Sequence, residues 1–226
     1  CHKSVHHGVV LSGAHPIYLD SSVNKKFSVY GPVPKRTLFD AIDEHPDAQA
    51  IILTSCTYDG LRYDLPPIIE AAHAKGIKVI IDEAWYGFAR FHPAVRPTAM
   101  EACADYATQS THKVLSAFSQ SSMIHVNDPD FNEHLFRENF NMHTSTSPQY
   151  SMIASLDVAR KQAMLEGYTL LSRTLELAKE VRAQITSTGV FRVLQLPDLL
   201  PAAVKPYNIQ PASTKGNARP HGLSPP

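Results

Sequence analysis

The stretch that decides the fold is residues 77–87, which read Ile-Lys-Val-Ile-Ile-Asp-Glu-Ala-Trp-Tyr-Gly. Its opening residues are apolar and β-branched except for one lysine, which is typical of a strand buried on both faces of a sheet. The run then changes to two acidic residues, Asp82 and Glu83, so the predicted strand ends in a polar turn. A carboxylate directly after a buried strand is costly without a partner. Asp82 is therefore either a turn residue bonded to the backbone or part of a functional site.

The residues around this stretch repeat the same alternation of strands and helices. Residues 50–54, Ala-Ile-Ile-Leu-Thr, predict a second buried strand, and residues 106–108 begin a third. Between the first two strands, residues 66–75 predict a helix that ends with Gly76 in the C′ position. This order predicts an α/β domain with a mainly parallel sheet, in three α/β/α layers. Ligands of such sheets bind beyond the carboxyl ends of the strands.

The remaining elements are predicted from helical spacing and from proline positions. Residues 34–44 predict a helix that has a proline in its first turn, and residues 16–19 predict a short strand. Residues 129–142 and 148–185 are mostly helical in pattern, and the second of these is expected to break near Gly167.

The chain divides into three regions by pattern and composition. Residues 1–187 are predicted to form the major domain, truncated at both ends. Residues 188–210 are predicted to begin a smaller unit, with a strand at 189–194. Residues 211–226 lack periodicity and are rich in proline, glycine, serine and basic residues, so we expect them to be disordered or foreign to the fold.

The bulk composition excludes several classes of protein. Lysine plus arginine and aspartate plus glutamate each number 21, so no charge excess attracts nucleic acid or an anionic membrane surface. No apolar run reaches the roughly 18 residues that a membrane span needs. Only three cysteines occur in 226 residues, which favours a reducing, cytoplasmic compartment over a disulfide framework.

The segment Ser110-Thr-His-Lys113 follows the third predicted strand and groups four polar side chains. A lone lysine in such a place is most often a solvated surface residue. Here, however, Ser110, Thr111 and His112 offer the donors that a phosphate group needs. Lys113 lies beside them, and a reactive amine requires a partly desolvated setting of this kind. The segment is therefore a candidate site for pyridoxal 5′-phosphate (PLP).

Asp82 supplies the second requirement of such a cofactor. A carboxylate beside the pyridine nitrogen of PLP keeps the ring cationic, so that the ring can accept an electron pair released at the substrate Cα. Ala84 is small enough for the ring to lie against it. Each motif is weak alone, but the two together, 31 residues apart and each at a strand end, point to the same chemistry.

Six separated motifs resemble the bacterial ornithine/lysine/arginine decarboxylases, which belong to the fold type I, or aspartate aminotransferase, superfamily. The resemblance extends from residue 1 to about residue 210. The motifs, in order, are Cys1-His-Lys-Ser4, Thr57-Tyr-Asp-Gly60, Asp82-Glu-Ala-Trp-Tyr-Gly87, Thr108-Gln-Ser-Thr-His-Lys-Val-Leu115, Ala117-Phe-Ser-Gln-Ser-Ser-Met-Ile-His125 and Met142-His-Thr-Ser-Thr-Ser-Pro148.

The resemblance implies a role for each residue around the cofactor ring. Lys113 resembles the Schiff-base lysine, and Asp82 resembles the partner of the pyridine nitrogen. His2 resembles the imidazole that stacks on the ring face opposite Ala84. Trp85 resembles the residue near the ring hydroxyl.

The resemblance also implies how the phosphate and the partner subunit are used. Ser110 and His112 resemble phosphate ligands. Ser145 stands where the family reaches across a dimer interface to the neighbouring subunit's cofactor phosphate. Reprotonation at Cα is expected from Lys113 or from His112. A homodimer or a higher homo-oligomer is the expected assembly.

The amino-terminal residues also allow a metal-binding interpretation. Cys1, His2, His6 and His7 lie close together in sequence, and positions 2 and 6 would share a face of a helix. No second group of ligands with matching spacing is apparent, so we expect no metal and interpret His2 as a ring-stacking residue.

The resemblance implies PLP-dependent decarboxylation of a basic amino acid to an amine and CO₂. The motif that begins at Asp82 favours arginine or lysine over ornithine as the substrate. Two alternatives remain, namely another fold type I activity such as an aminotransferase and an inactive homologue that regulates by forming mixed dimers. Because other segments of the family are absent, we expect the 226-residue chain alone to be inactive.

Overall fold

The computed structural model describes residues 1–199. The strands are β1 (Val23–Asn24), β2 (Val29–Tyr30), β3 (Ala50–Thr54), β4 (Lys78–Asp82), β5 (Tyr106–Gln109) and β6 (Met123–Val126). The α-helices are α1 (Lys3–Ser12), α2 (Lys35–Glu44), α3 (Leu65–His73), α4 (Thr111–Val114), α5 (Glu133–His143), α6 (Tyr150–Ser187) and α7 (Leu196–Leu199). Two 3-10 turns follow β4, at Ala89–Phe91 and Pro93–Val95.

The central sheet has four strands in the order β3-β4-β5-β6. The first three strands are parallel, and β6 runs antiparallel to β5. This arrangement confirms the predicted α/β class and the mainly parallel sheet. The predicted strands at 50–54 and 106–108 and the one within 77–87 are all present. Two of these runs, 50–54 and 77–81, are rich in β-branched residues, and polar or turn residues follow each of them.

One face of the central sheet carries the hydrophobic core. Helices α2 and α3 cover this face, and residues from α2, α3, β3, β4 and β5 form one buried cluster. Along β4 burial alternates, with Val79 and Ile81 fully buried between less buried neighbours. This twofold alternation fixes which side chains point toward the helices and which point away.

The opposite face of the sheet is largely open within residues 1–199. The strand register aligns Ile52, Ile80, Tyr106 and Val126 across this face. Ile52 is 37% exposed and Val126 is 39% exposed. At one corner, the ring of Phe131 meets Tyr106 edge-on at 6.4 Å between centroids. Since both faces of parallel sheets are normally covered, this open face marks a surface that more protein is expected to cover.

The predicted strand at 16–19 is wrong. Residues 14–20 have no regular structure, and Ile17 and Tyr18 are exposed. Pro16 has no amide hydrogen to donate to a ladder, and the Tyr18 ring packs against His6, with 5.9 Å between centroids. Its short apolar run therefore finds no partner strand, and the nearby hairpin of β1 and β2 forms instead.

The predicted break near Gly167 is also wrong, because α6 is continuous over 38 residues. Every fourth residue from Ser155 to Gly167 is small and buried, so the helix approaches its neighbours closely along this stripe. At Gly167 an added Cβ would lie 2.8 Å from the Cβ of Phe91. The glycine therefore serves close packing rather than a helix end.

The predicted strand at 189–194 does not form. Gly189 adopts a left-handed conformation with φ +70° after the end of α6, and the following residues turn back along the helix. Arg182 donates to the carbonyl oxygen of Leu194 at 2.9 Å, so a side chain of α6 binds the segment in place of a strand. The proposed boundary at residue 187 stays a prediction, and residues 211–226 lie outside the described residues.

A charged network joins β4, β5 and the segment after β6 at the amino-terminal end of the sheet. Lys78 Nζ lies 2.5 Å from Asp128 Oδ1, 2.9 Å from Asp130 Oδ2 and 3.8 Å from Asp105 Oδ1. The Tyr106 hydroxyl also donates to Asp128, at 2.6 Å. These hydrogen bonds, the one from Lys78 above all, lower the pKa of Asp128 to about 2.

Acid should weaken the fold through Asp128. Because its pKa is lower in the folded chain than the ordinary 3.8, its contribution to stability is present above pH 3.8 and is lost as the pH falls to about 2. In urea unfolding followed by circular dichroism, Asp128→Asn should be less stable at neutral pH and should lose less stability across this window. Asp157→Asn is the matched control, because that carboxylate is exposed on α6 and lies outside the network. Equal acid sensitivity of Asp128→Asn and the unaltered chain would contradict the assignment.

Within residues 1–199, no helix combines the length and the apolar character needed to cross a membrane.

Candidate cofactor site

Three polar segments converge at the carboxyl edge of the sheet. They are residues 54–60, 82–87 and 109–113, which begin at the last residues of β3, β4 and β5. The register places Thr54 beside Asp82 and Asp82 beside Thr108. Neighbouring parallel strands therefore present these segments together, as the rule for ligand sites of parallel sheets predicts.

Asp82 ends β4 on the open face of the sheet. One carboxylate oxygen, Oδ1, accepts a hydrogen bond from the amide of Ala84 at 2.9 Å. The Asp82 side chain is only partly buried, and Thr108, the residue beside it on β5, is exposed. Asp82 is thus a turn residue bonded to the backbone, as one interpretation of the sequence held, and it also presents its carboxylate on the accessible face.

Lys113 reaches toward the segment that begins with Asp82. Its Nζ lies 4.9 Å from the centroid of the Trp85 ring, and the Lys113 side chain is accessible to solvent. Trp85 in turn meets the Tyr58 ring edge-on, with 5.5 Å between centroids. The cation–π contact therefore brings together the lysine and one aromatic residue that the sequence assigned to the same site.

His112 is held by the backbone of a neighbouring loop. Its Nδ1 lies 2.8 Å from the carbonyl oxygen of Ser121, and its amide also donates to that oxygen, at 3.1 Å. Because a carbonyl oxygen only accepts, Nδ1 carries the proton of this bond. Nε2 can therefore donate to an anion only when the imidazole is doubly protonated.

Ser110 and Thr111 are the hydroxyl residues of the same segment. Ser110 is partly buried and precedes α4, and its carbonyl oxygen accepts from the Lys113 amide at 2.9 Å. Thr111 is 2% exposed, and its hydroxyl has no hydrogen-bond partner in the described part of the chain. A buried hydroxyl without a partner is costly, which is consistent with a polar group binding here.

The structure describes only local contacts for the other two sequence-predicted residues. His2 caps α1, where its Nδ1 accepts from the Ser4 amide at 3.3 Å. Ser145 is exposed in the loop between α5 and α6, and its hydroxyl accepts from the Ser147 amide at 3.2 Å. The roles of His2 and Ser145 at a cofactor stay predictions.

Sequence reasoning missed three polar residues beneath the site, which we call the Glu83 network: Glu83, Gln109 and His125. Glu83 is fully buried, and its carboxylate accepts from the Ala99 amide at 2.7 Å and from Gln109 Nε2 at 2.8 Å. His125 Nε2 lies 3.0 Å from Gln109 Oε1. Burial raises the pKa of Glu83 and lowers that of His125. The signal in the sequence was the second acidic residue after a buried strand, Glu83, which was passed over in favour of Asp82.

The donor set fits a phosphorylated pyridine aldehyde better than a metal ion. It combines an accessible amine, a carboxylate at a strand end and, within one short segment, two hydroxyls and an imidazole. Among residues 1–199, no group of three or more histidine, cysteine, aspartate or glutamate side chains is arranged to hold a metal. The arrangement can therefore hold an aldehyde through Lys113, a ring nitrogen through Asp82 and a phosphate through the 110–112 segment.

Comparison with known proteins bears on this site. A family model described as "Orn/Lys/Arg decarboxylase, major domain" matches residues 1–214. An arginine decarboxylase of Bacillus cereus is 36% identical over 186 residues, which cover 82% of this chain and 40% of that protein. A lysine decarboxylase of Pseudomonas aeruginosa is 37% identical over 213 residues, which cover 83% of this chain and 28% of that protein.

The fold is shared with a solved decarboxylase structure. The constitutive lysine decarboxylase of Escherichia coli superposes with a TM-score of 0.70 at 32% sequence identity. The match covers 82% of this chain and 28% of that one. The chain thus spans two fifths or less of the length of these relatives.

Proposed function

The chain belongs to the Orn/Lys/Arg decarboxylase family, and on that premise we propose that it carries the PLP-binding part of a basic amino-acid decarboxylase. The proposed substrates are arginine and lysine, ahead of ornithine, and the products are the corresponding amine and CO₂. Arginine and lysine decarboxylases both stand among the named relatives, so the family supports the substrate class rather than one substrate.

The observation that carries this proposal is the convergence of Lys113 and the Asp82 segment at one edge of a parallel sheet. Asp82 ends β4, Lys113 lies in α4 directly after the adjacent strand β5, and Lys113 contacts Trp85, three residues beyond Asp82. An amine and a carboxylate in this arrangement match the two ends of the pyridoxal ring system that a fold of this class must hold.

When bound, PLP supplies an electron sink for the pair released as CO₂ leaves the substrate Cα. The residues of the chain would orient the cofactor and supply the protons. Asp82 would keep a proton on the ring nitrogen, while Ser110, Thr111 and His112 would hold the phosphate. Lys113, as an accessible amine, would anchor the cofactor and then return a proton to Cα, with His112 as the alternative donor.

We also propose that the site is completed in a homodimer or a higher homo-oligomer. The loop that carries Ser145 is exposed, as are the flanking apolar residues Met142 and Tyr150. Exposed apolar side chains around a polar loop are typical of an interface between subunits. In this arrangement Ser145 would donate to the cofactor phosphate of the neighbouring subunit.

The proposal is tested by product analysis of the protein in its full natural length. Loaded with PLP and given arginine, lysine and ornithine in separate reactions, it should release CO₂ and the matching amine, with arginine or lysine preferred. Formation of a keto acid would favour an aminotransferase, and no product at all would favour an inactive homologue. The 226-residue chain alone should bind PLP weakly and release little CO₂, because one face of its sheet is open. CO₂ release from it at the rate of a full-length relative would contradict that expectation.

A further inference from the structure

The Glu83 network lies on the covered face of the sheet, opposite Asp82. Gln109 follows Ala107 by two residues and therefore points to the same buried face, and His125 of β6 is paired directly with Ala107 of β5. Asp82, by contrast, is aligned with Thr108 on the open face. The side chains of the network therefore point to the face of the sheet opposite the one that presents Asp82.

While Glu83 is ionised, each hydrogen bond of the network has one possible direction. The Glu83 carboxylate only accepts, so the Gln109 amide group must donate through Nε2 and accept through Oε1. His125 must then carry a proton on Nε2 to donate to that oxygen. Glu83 therefore sets the tautomer of a neutral His125 through two successive hydrogen bonds.

The network connects the two segments that carry the candidate site. Glu83 directly follows Asp82, and Gln109 directly precedes Ser110, so their side-chain bond joins β4 to β5 beyond the last paired residues, Asp82 and Thr108. The backbone repeats this link, since the Glu83 amide donates to the Thr108 carbonyl oxygen at 2.8 Å.

Gly87 shows how closely the two segments pack at this point. A Cβ added there would lie 3.5 Å from Gln109 Cδ and 3.4 Å from Val114 Cγ2, the residue after Lys113. The turn that begins at Asp82 therefore lies directly against both ends of the 109–114 segment. A shift of Gln109 would be transmitted to the turn and to the lysine together.

We propose that Glu83, Gln109 and His125 are positioning residues, whose hydrogen bonds set the placement of Lys113 relative to Asp82 without touching the cofactor. This inference rests on the proposed function, because it concerns the same site. A fully buried carboxylate with two N–H donors and no cation among its hydrogen-bond partners in the described chain holds the turn in one geometry.

A reciprocal exchange of two residues tests the proposal. Glu83→Gln alone would set an amide group against the Gln109 amide group, and Gln109→Glu alone would set two carboxylates against each other. The double variant Glu83→Gln/Gln109→Glu would restore all three bonds. The amide at position 83 would accept from Ala99 and donate to position 109, and the carboxylate at position 109 would also accept from His125.

Two measurements on the 226-residue chain report whether each variant disturbs the 110–113 segment. Without cofactor, ¹H–¹⁵N spectra should show His125 protonated on Nε2 in the unaltered chain. This proton should be lost in Glu83→Gln, where the Gln109 amide must turn over to accept from position 83. The amide signals of Ser110 to Lys113 should shift in each single variant, and both readouts should return to those of the unaltered chain in the double variant. With PLP, borohydride trapping at Lys113 should need about tenfold more cofactor in the single variants and wild-type amounts in the double variant. If the single variants fold poorly, His125→Asn serves in their place, because it removes only the last bond of the network. Its effect on the amide signals and on trapping should be smaller than theirs.

Glu101→Gln is the matched control, because Glu101 bonds the neighbouring Thr98 amide at 3.0 Å but not Gln109. It should lower thermal stability without moving the signals of Ser110 to Lys113. The proposal fails if the double variant does not recover, or if the single variants lose stability while the 110–113 signals and trapping stay unchanged. If Lys113 of the unaltered full-length protein traps no PLP, the proposed function fails, and the cofactor-free spectra still decide whether the network positions the segment.

Discussion

Replacing Lys113 by alanine should abolish the covalent capture of PLP by this chain. In the structure the Lys113 amine is accessible and lies 4.9 Å from the Trp85 ring, beside the segment that begins with Asp82. Only an unprotonated amine can attack the aldehyde, and no other lysine follows a strand at this edge of the described sheet. The expected result is loss of the PLP-labelled peptide after borohydride reduction and digestion, measured by mass spectrometry.

Lys161→Ala is the matched control for this experiment. Lys161 is an exposed lysine on α6, and its removal should leave the labelled peptide in place. Lys113→Arg separates charge from reactivity, because arginine keeps the positive charge near Trp85 but cannot form the covalent bond. Equal labelling of Lys113→Ala and the unaltered chain would show that another amine binds the cofactor.

Replacing Asp82 by asparagine should reduce decarboxylation by the full-length protein about 100-fold while leaving capture at Lys113 within a few-fold of the original. Asparagine has nearly the same shape, and its side-chain oxygen can still accept from the Ala84 amide, as Asp82 does at 2.9 Å. What is lost is the negative charge that holds a proton on the ring nitrogen. Two pKa units of such support correspond to about 100-fold, at about 1.4 kcal/mol per unit.

Asp59→Asn is the corresponding control, because Asp59 is an exposed carboxylate in the neighbouring 54–60 segment. Its turnover and its capture of PLP should both match those of the unaltered protein. Should Asp82→Asn lose capture and turnover to the same degree, Asp82 would be needed for binding rather than for the electronic support of the ring. Unchanged turnover would remove Asp82 from the site.

The parallel strands of the sheet could be predicted from the sequence because each of them has a local pattern of residue types. The run 50–54 and the run that ends at Asp82 are β-branched and bounded by turn residues, so period and composition agree. The failures came where a distant contact decided the outcome. Gly167 is a helix breaker by intrinsic propensity, but Phe91, 76 residues earlier in the sequence, packs on it and α6 continues.

The candidate site was predicted in part for the same reason. Asp82 and Lys113 each follow a strand, so their convergence follows from the topology of a parallel sheet. The Glu83 network was missed because its parts are unremarkable singly and meet only when β4, β5 and β6 lie side by side. A glutamine and a histidine 16 residues apart carry no periodicity that would connect them.

The open and covered faces of the sheet give the adjacent acids Asp82 and Glu83 opposite surroundings, although they differ by one methylene. Deleting one residue from β4 would move every later side chain to the opposite face of the sheet. Glu83 would then point to the open face, and Asp82 would be buried on the covered face. After such a shift, Asp82 could no longer reach the ring nitrogen and Glu83 could no longer bond the Ala99 and Gln109 groups, although the residues of the motif would be unchanged. In this chain the spacing between the start of β4 and its first acid is therefore as much a determinant of the proposed chemistry as the acid itself.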